Sequence, residues 1–259
     1  MSAETARLAE TYDRQMRRPL SEAYYGGSDF FNYGYWLPGT RDQAEACANL
    51  VDRLLEHVPH PAGRVLDVAC GLGATTRHVL QARRAAQLLG INISRPQLAR
   101  SRQNAPGCAF QVMDAARLGF GDATFDALLC VESAFHFDTR ESFLREAWRV
   151  LRPGGALALS DILYLTLPGK RRRRLPDANF VTDLEKYREA YRRAGFQDVH
   201  IVDATRECWG GFRRNMLRWG WRKFRAGEVS ARTLGGNSLW LLVNSVALRR
   251  YLLVWARKT

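Results

Sequence analysis

The chain has 259 residues, 46% of them hydrophobic and 25% charged, which suits one core-bearing domain with an elaboration. It contains no apolar run of about 18 residues, so no membrane span is expected, and its polar start lacks the apolar stretch of a secretory signal, so a cytoplasmic protein is expected. The net charge of +13 is unevenly placed: residues 1–166 carry 18 basic and 18 acidic side chains, whereas residues 167–259 carry 21 basic and 8 acidic.

Leu8, Tyr12 and Met16 recur every fourth position and predict a helix over residues 4–18. Residues 20–40 are dense in aromatics, glycine and proline and read as a loop. Helical periodicity returns over 41–57. Short apolar strands are then predicted at 64–69, 86–92, 108–112, 125–131 and 155–163, with helices at 73–83, 95–104 and 140–150 between them. Such alternation indicates βαβ units and a mainly parallel sheet. A basic run, Lys170 to Arg174, reads as a solvated loop. A helix over 180–194, a strand over 198–204, a helical insertion over 206–246 and a final strand over 251–256 complete the chain.

The most informative stretch is Asp67-Val68-Ala69-Cys70-Gly71-Leu72-Gly73, at the end of the first predicted strand. Strand, acid, Gly-x-Gly and helix form a cradle in which a ligand approaches bare backbone and meets a helix N-terminus. The third glycine of the dinucleotide fingerprint is absent, because position 76 is threonine. That counts against NAD and in favour of another adenosine ligand. The five cysteines form no CxxC pair, so neither a zinc site nor a disulfide framework is expected.

Five segments in order resemble the class I methyltransferases that use S-adenosylmethionine (SAM). They are the Asp67–Gly73 turn, residues 89–98, Met113-Asp114-Ala115, residues 125–133 and residues 149–155. The resemblance implies a Rossmann-like α/β fold, with a seven-stranded, mainly parallel sheet, an antiparallel last strand and a helical cap. It divides the chain into an N-terminal lid (1–60), a SAM-binding core (61–205), a cap insertion (206–246) and a closing strand (247–259). It also implies roles. Gly71 and Gly73 would lie against the methionine moiety, Asp67 would organise the turn and the donor's amino group, Ala69 would belong to the same cofactor site, and Asp114 and Ala115 would meet the adenine. The second-strand position that grips the ribose is usually acidic; here it is Asn92, followed by Ile93, with Gln97 five positions on. That departure is similar to the small-molecule subgroup, which includes sugar O-methyltransferases and lipid or terpenoid C-methyltransferases.

Gly34-Tyr35-Trp36 resembles the aromatic element that closes over SAM in small-molecule members, and a sulfonium cation suits aromatic faces. Tyr24, Tyr35 and Trp36 are candidates for that contact. Tyr25, Phe30, Phe135, Phe180, Trp209 and Phe212 are candidates for the acceptor pocket. His136 and Glu132 follow the fourth strand, whose carboxyl end faces the ligand in open α/β sheets. Either could take a proton from an acceptor. No metal is required.

The expected reaction is methyl transfer to carbon, oxygen or nitrogen of a small specialised metabolite. An anionic or prenylated acceptor is one option, including C-methylation of a prenyl diphosphate or of a terpenoid or indole alkene, with or without cyclisation. In the insertion, Arg214, Arg218, Arg222 and Arg225 form either a solvated face or an anion-binding lid. An RNA methyltransferase is a rival from another class, but no RNA-binding module is visible and a nucleic-acid partner is not expected. A homo-oligomer stays open.

Overall fold

The computed structural model describes residues 3–58, 63–82, 84–165 and 175–259. Lys170 to Arg174 lie outside them. Val65–Val68 (β1) is buried at every position, as is Leu88–Asn92 (β2). Strands buried on both faces belong to the middle of a parallel sheet. Ala109–Val112 (β3), mostly exposed, and Asp198–Asp203 (β6), which has no buried residue, form the edges. With Phe125–Val131 (β4), Leu151–Tyr164 (β5) and Leu248–Arg257 (β7), they make a seven-stranded sheet of order β3-β2-β1-β4-β5-β7-β6. β1 to β5 pair in parallel, and β7 runs antiparallel to both β5 and β6.

The strand period of two divides the core. Leu66, Val68, Leu128 and Leu159 pack on one face against Arg140–Val150 (α6) and Leu184–Ala194 (α7). Val65, Leu129 and Ala158 pack on the other against Gln43–Leu55 (α3) and the aromatics of the insertion. Side-chain caps start α3, α6, α7 and the helices Arg95–Asn104 (α5) and Ala231–Ala247. Asp42 accepts from the Glu45 N–H at 2.9 Å, and Ser94 accepts from the Gln97 N–H at 3.2 Å at the start of α5.

Several boundaries differ from the sequence reading, each for a local reason. The N-terminal helix Ala3–Met16 (α1) stops before Pro19, which opens a separate short helix, Pro19–Tyr24 (α2), inside the predicted loop. The helix expected from 180 starts at Leu184, where the Asp183 carboxylate accepts from the Glu185 N–H at 2.7 Å. The insertion is a π-helical turn, Arg206–Gly210, then Gly211–Arg225 (α8) and Ala231–Ala247 (α9). The last strand starts at Leu248, earlier than expected, because it pairs along β5 as far as Tyr164.

Candidate active site

The strand order reverses at β1: the chain leads outward from it through β2 to β3, then returns to β4 on its other side. Ligands of open α/β sheets bind in the crevice at such a point. A cleft, open at its mouth, lies there. Its floor is the turn after β1, the ends of β2 and β4 and the Met113–Ala115 loop, and α1 walls it with Leu8, Tyr12 and Met16.

Asp67 is buried, and its carboxylate accepts from the Thr76 hydroxyl at 2.6 Å; burial pushes its pKa up to about 7. Ala69 takes a left-handed φ of 57°, unusual for a residue with a side chain. The two glycines of the turn differ in their surroundings. At Gly71 (φ +57) a Cβ would meet only Met16 Cε, at 3.8 Å, so the space beside it belongs to the cleft. At Gly73 (φ +83) a Cβ would lie 2.7 Å from Ser101 Cα. That glycine lets Ala74–Leu80 (α4) pack closely on α5 and does not line the cleft.

Asn92 is buried and has its hydrogen bonds within the protein. Its Nδ2 donates to the Gln97 Oε1 at 2.8 Å and to the Gly71 carbonyl at 3.3 Å, and its Oδ1 accepts from the Ser94 N–H at 3.2 Å. Gln97 Nε2 and Ser94 Oγ both donate to Asp13 Oδ1 of α1, at 2.6 and 2.7 Å. An acid is therefore present beside the second strand, but it comes from the N-terminal helix, which it ties to the floor of the site.

Glu132, the first residue beyond β4, also has a left-handed φ, 49°. Its backbone N–H donates to the Ser160 carbonyl at 3.1 Å. Its Oε1 accepts from the Tyr33 N–H at 2.6 Å and the Tyr251 hydroxyl at 2.7 Å. Desolvation outweighs these two bonds and raises its pKa to about 7. His136 Nε2 lies 2.6 Å from the Tyr12 hydroxyl. The segment bearing His136 is pinned from outside the sheet: Asn179 Nδ2 donates to the carbonyls of Phe135 and Phe137, at 3.1 and 2.8 Å. Asn179 is held in turn by Arg140, which forms a buried ion pair with Asp161 at 2.6 Å.

A methyltransferase domain family matches residues 66–159. The chain is 34% identical over 205 residues to erythromycin 3''-O-methyltransferase of Saccharopolyspora erythraea, covering 70% of this chain and 67% of that one. It is 33% identical over 195 residues to 27-O-demethylrifamycin SV methyltransferase of Amycolatopsis mediterranei, covering 69% and 71%. The chain belongs to the class I SAM-dependent methyltransferases. The crystal structure of the [4+2]-cyclase SpnF shares the fold, with a TM-score of 0.73 at 24% identity over 97% of this chain and 95% of that one.

The methyltransferase cleft fits SAM on its own geometry. Gly71 leaves the floor clear, Asp114 and Ala115 belong to the same floor, and five acidic residues (Asp29, Asp67, Asp114, Glu132 and Asp138) line the cleft, as suits a cationic ligand, with no Lys or Arg among the described lining residues. Of the candidate cofactor residues, Asp67, Ala69, Gly71, Asn92, Ile93, Gln97, Asp114 and Ala115 line the cleft.

Tyr24, Tyr35 and Trp36 do not. Tyr24 donates to Gln43 Oε1 at 2.9 Å and accepts from Asn215 at 3.2 Å, joining α2, α3 and α8. The Tyr35 N–H donates to the Ala46 carbonyl at 2.7 Å, and Trp36 packs so tightly on Gly211 that a Cβ there would come within 2.2 Å of its ring. The physical reason is Gly34: its φ of +74° turns this segment onto α3, away from the cleft. The aromatic faces at the cleft come instead from Tyr12, Phe30, Phe31 and Phe137.

Of the candidate acceptor residues only Phe30 lines the cleft. Tyr25 is buried behind Phe31, 5.2 Å away between ring centres. Phe135 packs on Tyr164, and Phe180 is half-buried at the edge of the core. Trp209 and Phe212 stack on each other and pack at a tilt on Tyr33, at 5.1 and 4.6 Å between ring centres. Among the described residues, none of 206–246 reaches the cleft. The sequence reading missed Tyr12, Asp13, Tyr33 and Tyr251. The period of Leu8, Tyr12 and Met16 was the one available signal, since those three share the face that walls the site.

Proposed function

We propose that this methyltransferase transfers a methyl group to a hydroxyl oxygen of an uncharged, largely apolar small molecule, with Glu132 as proton acceptor. The observation that carries the reading is Glu132 itself. It is a cleft carboxylate oriented by two donors, Tyr33 and Tyr251, with an affinity for protons near neutrality. A base is most useful when its pKa lies near the working pH, and such proton removal contributes about 10²–10⁴-fold.

When bound, SAM supplies an electrophilic methyl group on a sulfonium. The chain's own residues do the rest. α1 and the Phe30–Phe31 segment line the cleft with apolar side chains and narrow the space left to water. The Tyr33 N–H and Tyr251 hydroxyl fix the Glu132 carboxyl group. As the acceptor oxygen gains its methyl group, its proton passes to Glu132, and the electron pair of the broken S–CH₃ bond stays on sulfur. His136, bonded to Tyr12, is placed to orient the hydroxyl.

The acidic cleft supports an uncharged acceptor over a prenyl diphosphate or an RNA backbone, since neither anion would find a described cation there. Two relatives, an O-methyltransferase and one acting at an O-demethyl position by name, favour oxygen as the accepting atom. The test is incubation with SAM and two sets of apolar hydroxylated acceptors, free and O-acetylated, read by mass spectrometry. Products one methylene heavier should form only from the free alcohols. Methylation of the acetylated set at carbon would refute the reading.

A further inference from the structure

We propose that the α8–α9 pair docks the protein onto the surface of an anionic lipid bilayer. The two helices pack on each other, with Leu234 against Gly220, and each shows solvent a face that its own sequence makes unusual. On α9 the exposed residues include Leu239 (61%), Leu242 (63%), Val243 and Val246 (57%). Their spacing of three and four places them on one face of the helix. Core helices turn such a stripe inward; here Leu241 and Ala247 are the buried residues instead.

On α8 the core side is taken by Phe212, Asn215 and Trp219. The opposite side carries Arg213, Arg214, Arg218, Arg222 and Arg225, interrupted by Leu217 and Trp221, the latter 56% exposed. Residues 211–247 hold seven basic side chains and one acidic one, Glu228. Glu228 is paired with Lys223. Among the described residues, no ion pair to a carboxylate is recorded for the five exposed arginines of α8.

Charge complementarity selects the occupant. A second copy of the chain would bring this cationic surface against itself, and like charges facing each other oppose association. A nucleic acid would satisfy the arginines but gain nothing from the leucine and valine stripe. A bilayer with anionic headgroups satisfies both, because helices that lie in the interface combine an apolar face with Trp and flanking Lys or Arg. Among the described residues no helix is long and apolar enough to cross a membrane, so the contact is peripheral. The cleft stays open, since no described residue of the insertion lines it.

The experiment is co-sedimentation of the full chain with vesicles of phosphatidylcholine alone or mixed with phosphatidylglycerol. Binding should be confined to the mixed vesicles. Leu239→Ser with Val243→Ser should weaken it at least about tenfold. Arg218→Glu with Arg222→Glu should weaken it roughly 25-fold or more, at about fivefold per arginine lost. All four positions are exposed, so thermal midpoints and SAM affinity should not move. No sedimentation with mixed vesicles would overturn the proposal, as would equal binding to neutral ones. A dimer in analytical ultracentrifugation that Leu239→Ser dissolves would assign the face to self-association. Binding to RNA that survives the Leu239→Ser change would assign it to nucleic acid.

Discussion

Alanine at Gly71 and alanine at Gly73 should produce different defects, although both glycines sit in one turn with positive φ. At Gly73 the new methyl would lie 2.7 Å from Ser101 Cα and 2.8 Å from its Cβ, so α4 and α5 must separate. Left-handed backbone costs an L-residue about 1–2 kcal/mol, and overpacking a close helix contact adds about 1–3 kcal/mol. For a chain of this size that is a fall in Tm of roughly 5–15 °C. At Gly71 the same backbone cost applies, about 1–2 kcal/mol, but the methyl meets nothing nearer than Met16 Cε at 3.8 Å. It enters the cleft instead, where it should weaken SAM binding by tenfold or more, about 1.4 kcal/mol. Differential scanning calorimetry and isothermal titration with SAM read the two effects separately. Gly73→Ala should melt early yet bind SAM nearly normally when folded, whereas Gly71→Ala should melt within a few degrees of the parent and bind poorly. A Gly73→Ala protein as stable as the parent would refute the packing role. Unchanged SAM affinity in Gly71→Ala would refute the placement of the cofactor.

Three further outcomes are expected. Glu132→Gln should lower kcat by about 10²–10⁴-fold. The parent's activity should fall as pH drops through about 7, where Glu132 takes up its proton, and that limb should vanish from the variant's pH–rate profile. Burial also raises the Asp67 pKa to about 7, so the native state holds a proton that the unfolded chain releases from about pH 4. Its contribution to stability is therefore complete below the unfolded value and is lost as pH rises through 7. Asp67→Asn should remove that decline and gain roughly 2–4 kcal/mol at pH 8, read by denaturant melts across the range. A pH–stability curve parallel to the parent's would contradict the assignment. Asn179→Ala deletes three side-chain hydrogen bonds around His136 and should cost about 2–4 kcal/mol, with a matching loss of kcat. Full activity at parental stability would show that this pin is dispensable.

The α/β class, the strand count and the nucleotide turn were legible in the sequence because each rests on local rules. Apolar runs of four to seven residues alternate with helical periods, and a backbone that must turn sharply under a ligand requires residues such as Gly71. The floor of the site follows from the same logic, since the ends of parallel strands meet at one edge of the sheet. The walls do not, because they come from distant parts of the chain. Tyr251 of the last strand reaches Glu132 across 119 positions, and Asp13 reaches Gln97 across 84. No periodicity within either segment encodes that meeting. Composition misdirected the reading in the same region. An aromatic residue gains as much from a dry core as from a ligand face, so the density of the buried Tyr24, Trp209 and Phe212 and the half-buried Tyr35 and Trp36 marked packing without saying against what. By itself the sequence determined a nucleotide-type cradle, through short-range steric and hydrogen-bonding requirements of the backbone, and the resemblance of five ordered segments to a known family pointed that cradle to SAM. Only the tertiary structure decided that α1 walls that cradle, that Tyr33 and Tyr251 hold Glu132 beside it, and that the basic insertion lies outside it, because each is a contact between segments that the chain brings together only on folding.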